Sequence, residues 1–388
     1  MNNSTLVENF LLFSFTGIWR PTSWKNGWKK NLYNLYSVLT IFLCYWFTIS
    51  EILVIIFVKN NISDFINITF LLFTMIAVCS KMTNIIIKRK AIIKVIKCLN
   101  IGPFKIQNNK EKYIQNKYKK ISRYIFFFYM ALLEVTTTLF VLGTVFQDRP
   151  DRTLPFRAWM PYKFNNNKIY KFSYVQQLVT IAIAANVNIG FDTFFLGVMT
   201  EICGQVNMLK YRIQNLLDQM CEAEDKKKLS KIQLSEYENK IADCIEYHLA
   251  ILRLAKYANS IFSSVVFIQY SLSSIVLCTS IYQVSQASLF SPEFIASTTY
   301  VAAMFSQIFM YCIAGHMVTH EFDDLGNAIY DTNWFGVNFN TRKSMTLMMA
   351  KCLKPVIIQS GYIVNLSLDS FKSLLKLSYT AYTMLQQS

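Results

Sequence analysis

The residues from Leu32 to Val58 decide the class of fold, and they read LYNLYSVLTIFLCYWFTISEILVIIFV. Glu51 is the one charged residue in this stretch. A helix needs about 20 mostly apolar residues to cross the hydrocarbon core of a bilayer, whereas a helix on the surface of a soluble domain keeps one polar face. The stretch is therefore predicted to form a transmembrane helix.

The composition of the whole chain points the same way. Its 388 residues are 53% hydrophobic and 16% charged, whereas soluble domains carry roughly 25% charged residues. This composition excludes disordered and collagen-like classes and makes a soluble enzyme improbable. The nine cysteines are scattered without a CxxC pair, so neither a disulfide framework nor a structural zinc site is predicted.

Six further stretches have the length and hydrophobicity of membrane spans. They run from Phe65 to Ile87, Ile121 to Phe146, Tyr174 to Cys203, Ala255 to Tyr282, Phe294 to Val318 and about Val364 to Leu385. Lys372, Lys376 and several hydroxyl residues weaken the last stretch as a lipid-facing span, so it is predicted to face protein or water. The predicted fold is all-α, with seven transmembrane helices.

The distribution of lysine and arginine predicts the orientation in the membrane. The segment from Lys88 to Lys120 holds eleven of these residues, and the segment between the fifth and sixth spans holds none. Because basic residues accumulate on the cytoplasmic side, the N-terminus is predicted to be cytoplasmic and the C-terminus extracellular. The net charge of +16 then reflects topology and contact with lipid headgroups, and no nucleic-acid partner is predicted.

The chain is predicted to divide into membrane and cytoplasmic segments. These are a cytoplasmic N-terminus with an interfacial helix (1–31), helices one to four (32–203), a cytoplasmic helical extension (204–254), helices five and six (255–318), a cytoplasmic segment with a short helix near Ser344 to Leu353 (319–363) and the seventh helix (364–388). Two apolar stripes at helical spacing predict the extension, which is broken between Cys221 and Ser230. They are Leu209, Ile213, Leu216, Leu217 and Met220, then Ile241, Ile245, Leu249 and Leu252.

Five ionisable residues stand out within the predicted spans, where each needs a partner, water or an interfacial position. They are Glu51, Lys81, Glu134, Asp192 and Glu201. Lys81 is predicted to extend its ammonium towards the cytoplasmic interface. Glu134 is the most deeply placed, and its candidate partners are Lys81 or a water-filled cavity. Two roles fit this residue: a buried polar contact that holds two helices together, or a step in a proton or ion relay.

The outer halves of several spans combine large apolar residues with small and hydroxyl-bearing ones. This combination suits a pocket for a small lipophilic ligand, although it also suits ordinary helix packing. The candidate ligand-binding residues are Phe70, Phe73, Phe140, Gly143, Thr144, Thr180, Ala184, Tyr300 and Met304. The segment containing Pro150, Leu154-Pro155-Phe156, Trp159, Pro161 and Tyr162 is rich in rigid and aromatic residues and is a candidate cover for this pocket. No catalytic residues and no cofactor are predicted, and His316 with His320 makes only half of a metal site, so no metal is predicted.

Several segments resemble the insect odorant receptor family. They are Asn188-Ile-Gly-Phe-Asp-Thr-Phe-Phe195, Ile202-Cys-Gly-Gln-Val206, Leu209-Lys-Tyr-Arg212, Ile261 to Gln269, Leu277 to Ser280, Ala328 to Trp334, Leu353-Lys-Pro355, Gly361, Leu366 to Phe371 and Ser378 to Leu385. The resemblance extends over nearly the whole chain and is strongest in the last 70 residues. Gly315-His316-Met317 departs from the Gly-Asn-Glu of many relatives, so no role is transferred to that turn.

The resemblance implies an odorant-gated, non-selective cation channel. It implies a tetramer in which a ligand-tuned subunit combines with a shared odorant receptor co-receptor, in the plasma membrane of an olfactory neuron dendrite. The chain lacks the long insertion between spans four and five of the co-receptor, so it resembles a tuning subunit. By the same resemblance the seventh helix lines the pore, with Thr380 and Thr383 on its wall, Met384 at the hydrophobic gate and Gln387 near the outer ring.

Three other classes of protein compete with this interpretation. A G-protein-coupled receptor requires an extracellular N-terminus, and the chain has no Asp-Arg-Tyr after span three and no Asn-Pro-x-x-Tyr in span seven. A gustatory receptor of the same channel superfamily usually ends in Thr-Tyr, five apolar residues and Gln-Phe, which Tyr379 and Gln386 do not match. A membrane enzyme or transporter is not supported, because the sequence shows no pattern of a catalytic nucleophile, a metal site or an internal repeat.

Overall fold

The computed structural model describes residues 6–24, 27–57, 62–146, 154–162, 167–225, 231–286 and 292–387. Ten α-helices and one short hairpin lie in these ranges. They are α1 (Val7–Phe15), α2 (Trp28–Phe57), α3 (Ile62–Ile87), α4 (Arg89–Cys98), α5 (Asn109–Phe146), α6 (Asn167–Asp225), α7 (Lys231–Gln286), α8 (Pro292–Tyr330), α9 (Phe339–Cys352), β1 (Gln359–Ser360), β2 (Val364–Asn365) and α10 (Leu368–Gln387).

Six of the described helices are long and apolar enough to cross a membrane. They are α2, α3, α5, α6, α7 and α8. They contain the first six predicted spans, except that Val58 at the end of the first span lies outside the described residues. The seventh predicted span corresponds to α10, whose 20 residues give a length of about 30 Å. The fold is therefore all-α, with seven helices of spanning length.

The seventh helix begins later than predicted. It starts at Leu368 rather than near Val364, because Val364 pairs with Ser360 in an antiparallel hairpin formed by β1 and β2. Ser367 then caps the helix, since its hydroxyl oxygen accepts a hydrogen bond from the Ser370 amide at 3.2 Å. Two-residue strands leave no periodic signal in a sequence, which is why hydrophobicity alone placed the boundary too early.

The predicted helical extension is formed by the continuous helices α6 and α7. They have 59 and 56 residues, so they are about 88 and 84 Å long, more than twice the thickness of the hydrocarbon core. The predicted apolar residues of α6 in this region are all buried. On α7, however, Leu249 is 43% exposed and lies outside the buried stripe. The predicted break at Cys221 is also too early, because α6 continues to Asp225.

The predicted short helix in segment 319–363 is α9. It begins at Phe339, five residues before the predicted start, because Asn338 caps it by accepting a hydrogen bond from the Thr341 amide at 3.2 Å. Met345 and Met348 are buried on its inner face.

The N-terminal helix α1 packs against α6 rather than lying only at an interface. Phe10 and Phe13 are buried, and both rings contact Phe194, at centroid distances of 5.5 and 5.7 Å. Asn9 donates hydrogen bonds to the Thr193 hydroxyl at 2.7 Å and to the Gly190 carbonyl at 3.2 Å. A methyl group on Gly190 would lie 2.8 Å from the Phe13 ring, so the glycine permits this close approach.

Arg212 joins the extension to the segment between α4 and α5. Its guanidinium forms two hydrogen bonds of 2.9 Å with the carboxylate of Glu111, which is fully buried. It also donates to the carbonyls of Pro103 and Lys105, at 2.9 and 2.8 Å. The planar guanidinium has five N–H donors in a fixed arrangement, so it can bind the carboxylate and both carbonyls at once.

We expect Arg212→Lys to destabilise the extension. A single ammonium cannot reproduce the bidentate pair and the two carbonyl contacts, and hydrogen bonds to charged groups contribute about 1.5 to 3 kcal/mol. The apparent melting temperature of the detergent-solubilised chain should fall by several degrees. Arg253→Lys is the matched control, because Arg253 is exposed and donates to the Leu249 carbonyl of its own helix. Equal melting temperatures for the two variants would contradict the assignment.

Candidate functional site

A buried cluster of polar side chains centres on Asp192 of α6. Lys81 of α3 lies 2.6 Å from its Oδ1, and the Tyr311 hydroxyl of α8 donates to the same oxygen. Its Oδ2 accepts hydrogen bonds from the Tyr129 hydroxyl of α5 at 3.0 Å and from Gln307 Nε2 of α8 at 2.5 Å. One carboxylate therefore joins four helices.

This cluster corrects two predictions about ionisable residues. Lys81 does not extend to the interface, because its side chain is 0% exposed and its ammonium also donates to Asn188 Oδ1 at 2.5 Å. Its ionic partner is Asp192 and not Glu134, which is half-buried on α5. A buried ammonium requires a counter-charge and full hydrogen bonding, and Asp192 with Asn188 supplies both.

The network continues through two glutamine side chains to α7. Gln307 Nε2 also lies 3.2 Å from Asn188 Oδ1, and Gln307 Oε1 accepts a hydrogen bond from Gln269 Nε2 at 3.0 Å. Gln269 Nε2 further donates to the Ser273 hydroxyl at 2.6 Å. Gln269 Oε1 is buried without a hydrogen-bond partner among the described residues.

A small cavity lies directly beside this network, among α3, α6, α7 and α8. Its volume is about 10 Å³, which leaves room for about one water molecule. The lining residues are Phe73, Thr74, Asn188, Gln269, Leu272, Ser273, Val276, Met304 and Gln307. Four of these residues are apolar and five carry an amide or a hydroxyl group, so the wall combines hydrophobic contacts with the convergent hydrogen-bonding groups that small-molecule sites use.

Four of the predicted ligand residues gather at this cavity. Phe73 and Met304 line it, and Phe70 and Tyr300 pack against the same apolar cluster. The rings of Phe70 and Tyr300 are 4.0 Å apart at their centroids, and the Tyr300 hydroxyl lies 2.8 Å from that of Thr74. Whether any of the four contacts a ligand stays a prediction.

The other predicted ligand residues lie away from the cavity lining. Thr180 and Ala184 are buried, and the Thr180 hydroxyl donates to the Gln176 carbonyl of its own helix at 2.8 Å. Phe140 contacts Phe70 at 6.1 Å between centroids. Gly143 faces open space within 4 Å of its missing Cβ, and the Thr144 side chain lies outside the described residues.

The polar lining residues Asn188, Gln269 and Gln307 were not predicted from the sequence. Within the spans, only charged residues were expected to need polar partners. Only aromatic, small and hydroxyl-bearing residues were expected to line a pocket. Uncharged amides inside apolar helices satisfy neither criterion, although their burial cost makes them equally informative.

The aromatic segment 154–162 contributes none of the described lining residues, and its part as a cover for the cavity stays a prediction. The Phe156 backbone amide donates a hydrogen bond to Gln177 Oε1, and Gln177 Nε2 donates one to the Phe156 carbonyl, both at 3.1 Å. Its ring stacks on Phe140 at 5.5 Å, and Phe140 in turn contacts Phe70. Pro150 lies outside the described residues.

The cavity-lining helix α7 is also joined to the hairpin that precedes α10. Ser263 of α7 accepts a hydrogen bond at its carbonyl from the Gly361 amide at 3.0 Å, and its hydroxyl donates to the Gln359 carbonyl at 2.9 Å. Gly361 has φ of +59°, and a methyl there would overlap the Phe267 ring, so glycine is required.

The described part of the predicted pore wall has its hydroxyls turned to the α10 backbone. Thr380 donates to the Lys376 carbonyl at 3.0 Å and Thr383 to the Thr380 carbonyl at 2.8 Å. Met384 and Gln387 lie in α10, but their side chains lie outside the described residues. The pore and gate assignments stay predictions.

These features define a multi-span helical membrane protein with a small cavity inside its bundle. The profile of the family described as 7tm Odorant receptor matches residues 61–379. The chain belongs to this odorant receptor family, whose members are receptors and not enzymes.

Individual relatives match over nearly their full length. The chain is 25% identical to Odorant receptor Or1 of Anopheles gambiae, over 97% of this chain and 93% of that one. It is 22% identical to Odorant receptor 2a of Drosophila melanogaster, over 99% and 96%. The insect olfactory receptor OR5 of Machilis hrabei, solved in complex with eugenol, has the same fold, with a TM-score of 0.84 at 16% identity over 98% of this chain and 97% of that one.

Proposed function

We propose that the chain is the ligand-tuned subunit of a volatile-gated, non-selective cation channel. It combines with an odorant receptor co-receptor in a tetramer in the plasma membrane of an olfactory sensory neuron dendrite. A small hydrophobic volatile enters the cavity, and cations then pass through a central pore.

The observation that carries this proposal is the small cavity beside the Asp192 cluster. Asn188, Gln269 and Gln307 fall near the middles of the predicted spans, so the cavity lies at a depth that a membrane-soluble compound reaches. Phe73, Val276 and Met304 provide dispersion and hydrophobic contacts.

A short path of contacts supports coupling between the cavity and α10. Gln269 lies six residues after Ser263 on α7, so about 9 Å along the helix axis separates the cavity from the hairpin contact. The hairpin leads directly into α10. A ligand that binds more tightly to one position of α7 would therefore also favour one position of the start of α10. The difference in its affinity for the open and closed arrangements is what opens the pore.

The proposed orientation places the N-terminus and the helical extension in the cytoplasm and the C-terminus outside. An epitope tag added after Ser388 should be labelled by antibody on intact cells. A tag that is labelled only after permeabilisation would contradict this orientation and would favour a G-protein-coupled receptor.

The function is tested by whole-cell recording from cells that express this chain, the co-receptor or both, with G-protein signalling blocked. We expect a fast cation current under a volatile panel only when both chains are present. Surface labelling of both chains is the control for delivery. No current to any volatile with both chains at the surface would overturn the proposal.

Met384→Ser is expected to raise the resting current of the proposed channel. A ring of apolar side chains closes a pore by excluding water, and a hydroxyl would wet that constriction. The measurement is the current without ligand, normalised to surface abundance. Met384→Leu is the matched control, since it keeps the ring apolar and should leave the resting current unchanged. Equal leak in the two variants would remove Met384 from the gate.

A further inference from the structure

We propose that the ligand of this cavity carries a hydroxyl group, as a volatile alcohol or phenol does, and that this hydroxyl donates a hydrogen bond to Gln269 Oε1. The inference rests on the proposed function, because it names the chemical class of ligand for the same cavity.

The ion pair of Lys81 and Asp192 determines how the neighbouring amides are oriented. As the ion-pair partner of the Lys81 ammonium at 2.6 Å, the Asp192 carboxylate acts as an acceptor of hydrogen bonds. Gln307 must therefore turn its Nε2 towards Asp192 Oδ2, where it lies at 2.5 Å. Its Oε1 is consequently directed at Gln269.

The same reasoning fixes Gln269. Because Gln307 presents an oxygen, Gln269 must present its Nε2, and the two atoms are 3.0 Å apart. The second hydrogen of this Nε2 is used by the Ser273 hydroxyl at 2.6 Å. Both donors of the Gln269 amide are thus occupied, and rotating the amide by 180° would set two oxygens against each other.

What remains on Gln269 is an acceptor without a donor. Its Oε1 has no hydrogen-bond partner among the described residues, and the residue, which lines the cavity, is only 3% exposed. A buried acceptor is costly when it is left unpaired. A ligand hydroxyl would satisfy it, whereas ethers, esters and ketones bring only a further acceptor against it.

The rest of the lining favours an apolar body for this ligand. Phe73, Leu272, Val276 and Met304 form the apolar part of the wall, and the volume of about 10 Å³ holds about one water molecule, so a ligand must push these side chains apart. The hydroxyl of such a ligand pairs with the Gln269 acceptor, and its hydrocarbon chain or aromatic ring contacts these four side chains. A site built around such a hydrogen bond discriminates strongly against isomers that lack the donor.

The test compares isomers that differ only in the donor, on cells expressing this chain with the co-receptor. The probes are 1-octanol against 1-methoxyheptane and 4-ethylphenol against 4-methylanisole, within a panel that also contains esters, ketones and terpene hydrocarbons. We expect the hydroxyl isomers to activate at concentrations at least about tenfold lower than their ethers.

Variants locate the effect at Gln269. Q269M keeps the side-chain length but removes the acceptor, and it should reduce the alcohol-to-ether preference to near one. Ser280→Ala is the matched control, because Ser280 is also buried on α7 with an unpartnered oxygen but does not line the cavity. It should leave the preference unchanged. The isomer comparison on the unaltered chain still decides the matter if Q269M does not reach the surface.

The outcomes separate this inference from the proposed function. Equal potency of the isomers, activation only by compounds without a donor, or an unchanged preference in surface-expressed Q269M would overturn the hydroxyl assignment and leave the channel proposal standing. No current to any volatile, with both chains at the surface, would overturn the channel proposal and this inference with it.

Discussion

Asp192→Ala is expected to abolish delivery of folded protein to the cell surface. The substitution removes the counter-charge of an ammonium that is 0% exposed, and it leaves Tyr129, Tyr311 and Gln307 without their shared acceptor. Breaking a buried ion pair on one side costs about 3 to 5 kcal/mol, which is a large part of the stability of a typical domain. Surface biotinylation and size-exclusion chromatography of the solubilised chain would measure the loss.

A double variant separates the charge from the hydrogen bonds. Lys81→Met with Asp192→Asn removes both charges together and keeps a side-chain carbonyl as an acceptor for the tyrosines. We expect it to recover much of the surface signal, because an uncompensated buried charge is the costly element. Glu134→Gln is the control, since Glu134 is half-buried and lies outside the cluster. Normal folding of Asp192→Ala would show that the cluster contributes little to stability.

Gly315→Ala is expected to disrupt the contact between α8 and the segment that enters α10. The added methyl would overlap the Leu366 carbonyl oxygen and would lie 2.6 Å from Leu366 Cβ and 3.0 Å from the carbonyl carbon. Two of these three atoms belong to the backbone, so no side-chain rotation relieves the overlap. The helix and the hairpin must separate instead, at a cost of about 1 to 3 kcal/mol or more.

The measurable result is a lower melting temperature and reduced surface abundance. Because Leu366 donates its amide to the Ile358 carbonyl at 2.9 Å and lies two residues before α10, the copies of the proposed channel that reach the surface should also show an altered resting current. Gly143→Ala is the folding control, since nothing lies within 4 Å of its Cβ position. Equal stability of the two variants would contradict the packing argument.

The helical framework was predictable because it depends on local hydrophobicity. The spans from Leu32 to Val58 and from Tyr174 to Cys203 are each apolar over more residues than a bilayer requires. Helix α2 covers the first as far as Phe57, and α6 contains the second. The buried stripe from Leu209 to Met220 was also visible, since its period is that of one helical face.

The partners within the bundle were not predictable in the same way. Lys81, Tyr129, Asp192 and Gln307 are far apart in the sequence and meet only when four helices pack. Hydropathy shows that a charge such as Lys81 is costly in a span, but it does not show which helix supplies the counter-charge. This is why Glu134 was named as a candidate partner and why the amides that line the cavity were missed.

The docking of α1 on α6 also constrains the order of events during biosynthesis. Asn9 finds its acceptor at Thr193, 184 residues further along the chain. At translation rates of about 5 to 20 residues per second, α1 waits on the order of ten to forty seconds for its partner. Its apolar side chains must be sheltered meanwhile by lipid or a chaperone, so chains that terminate before α6 leave the ribosome with an N-terminal helix that lacks its docking surface.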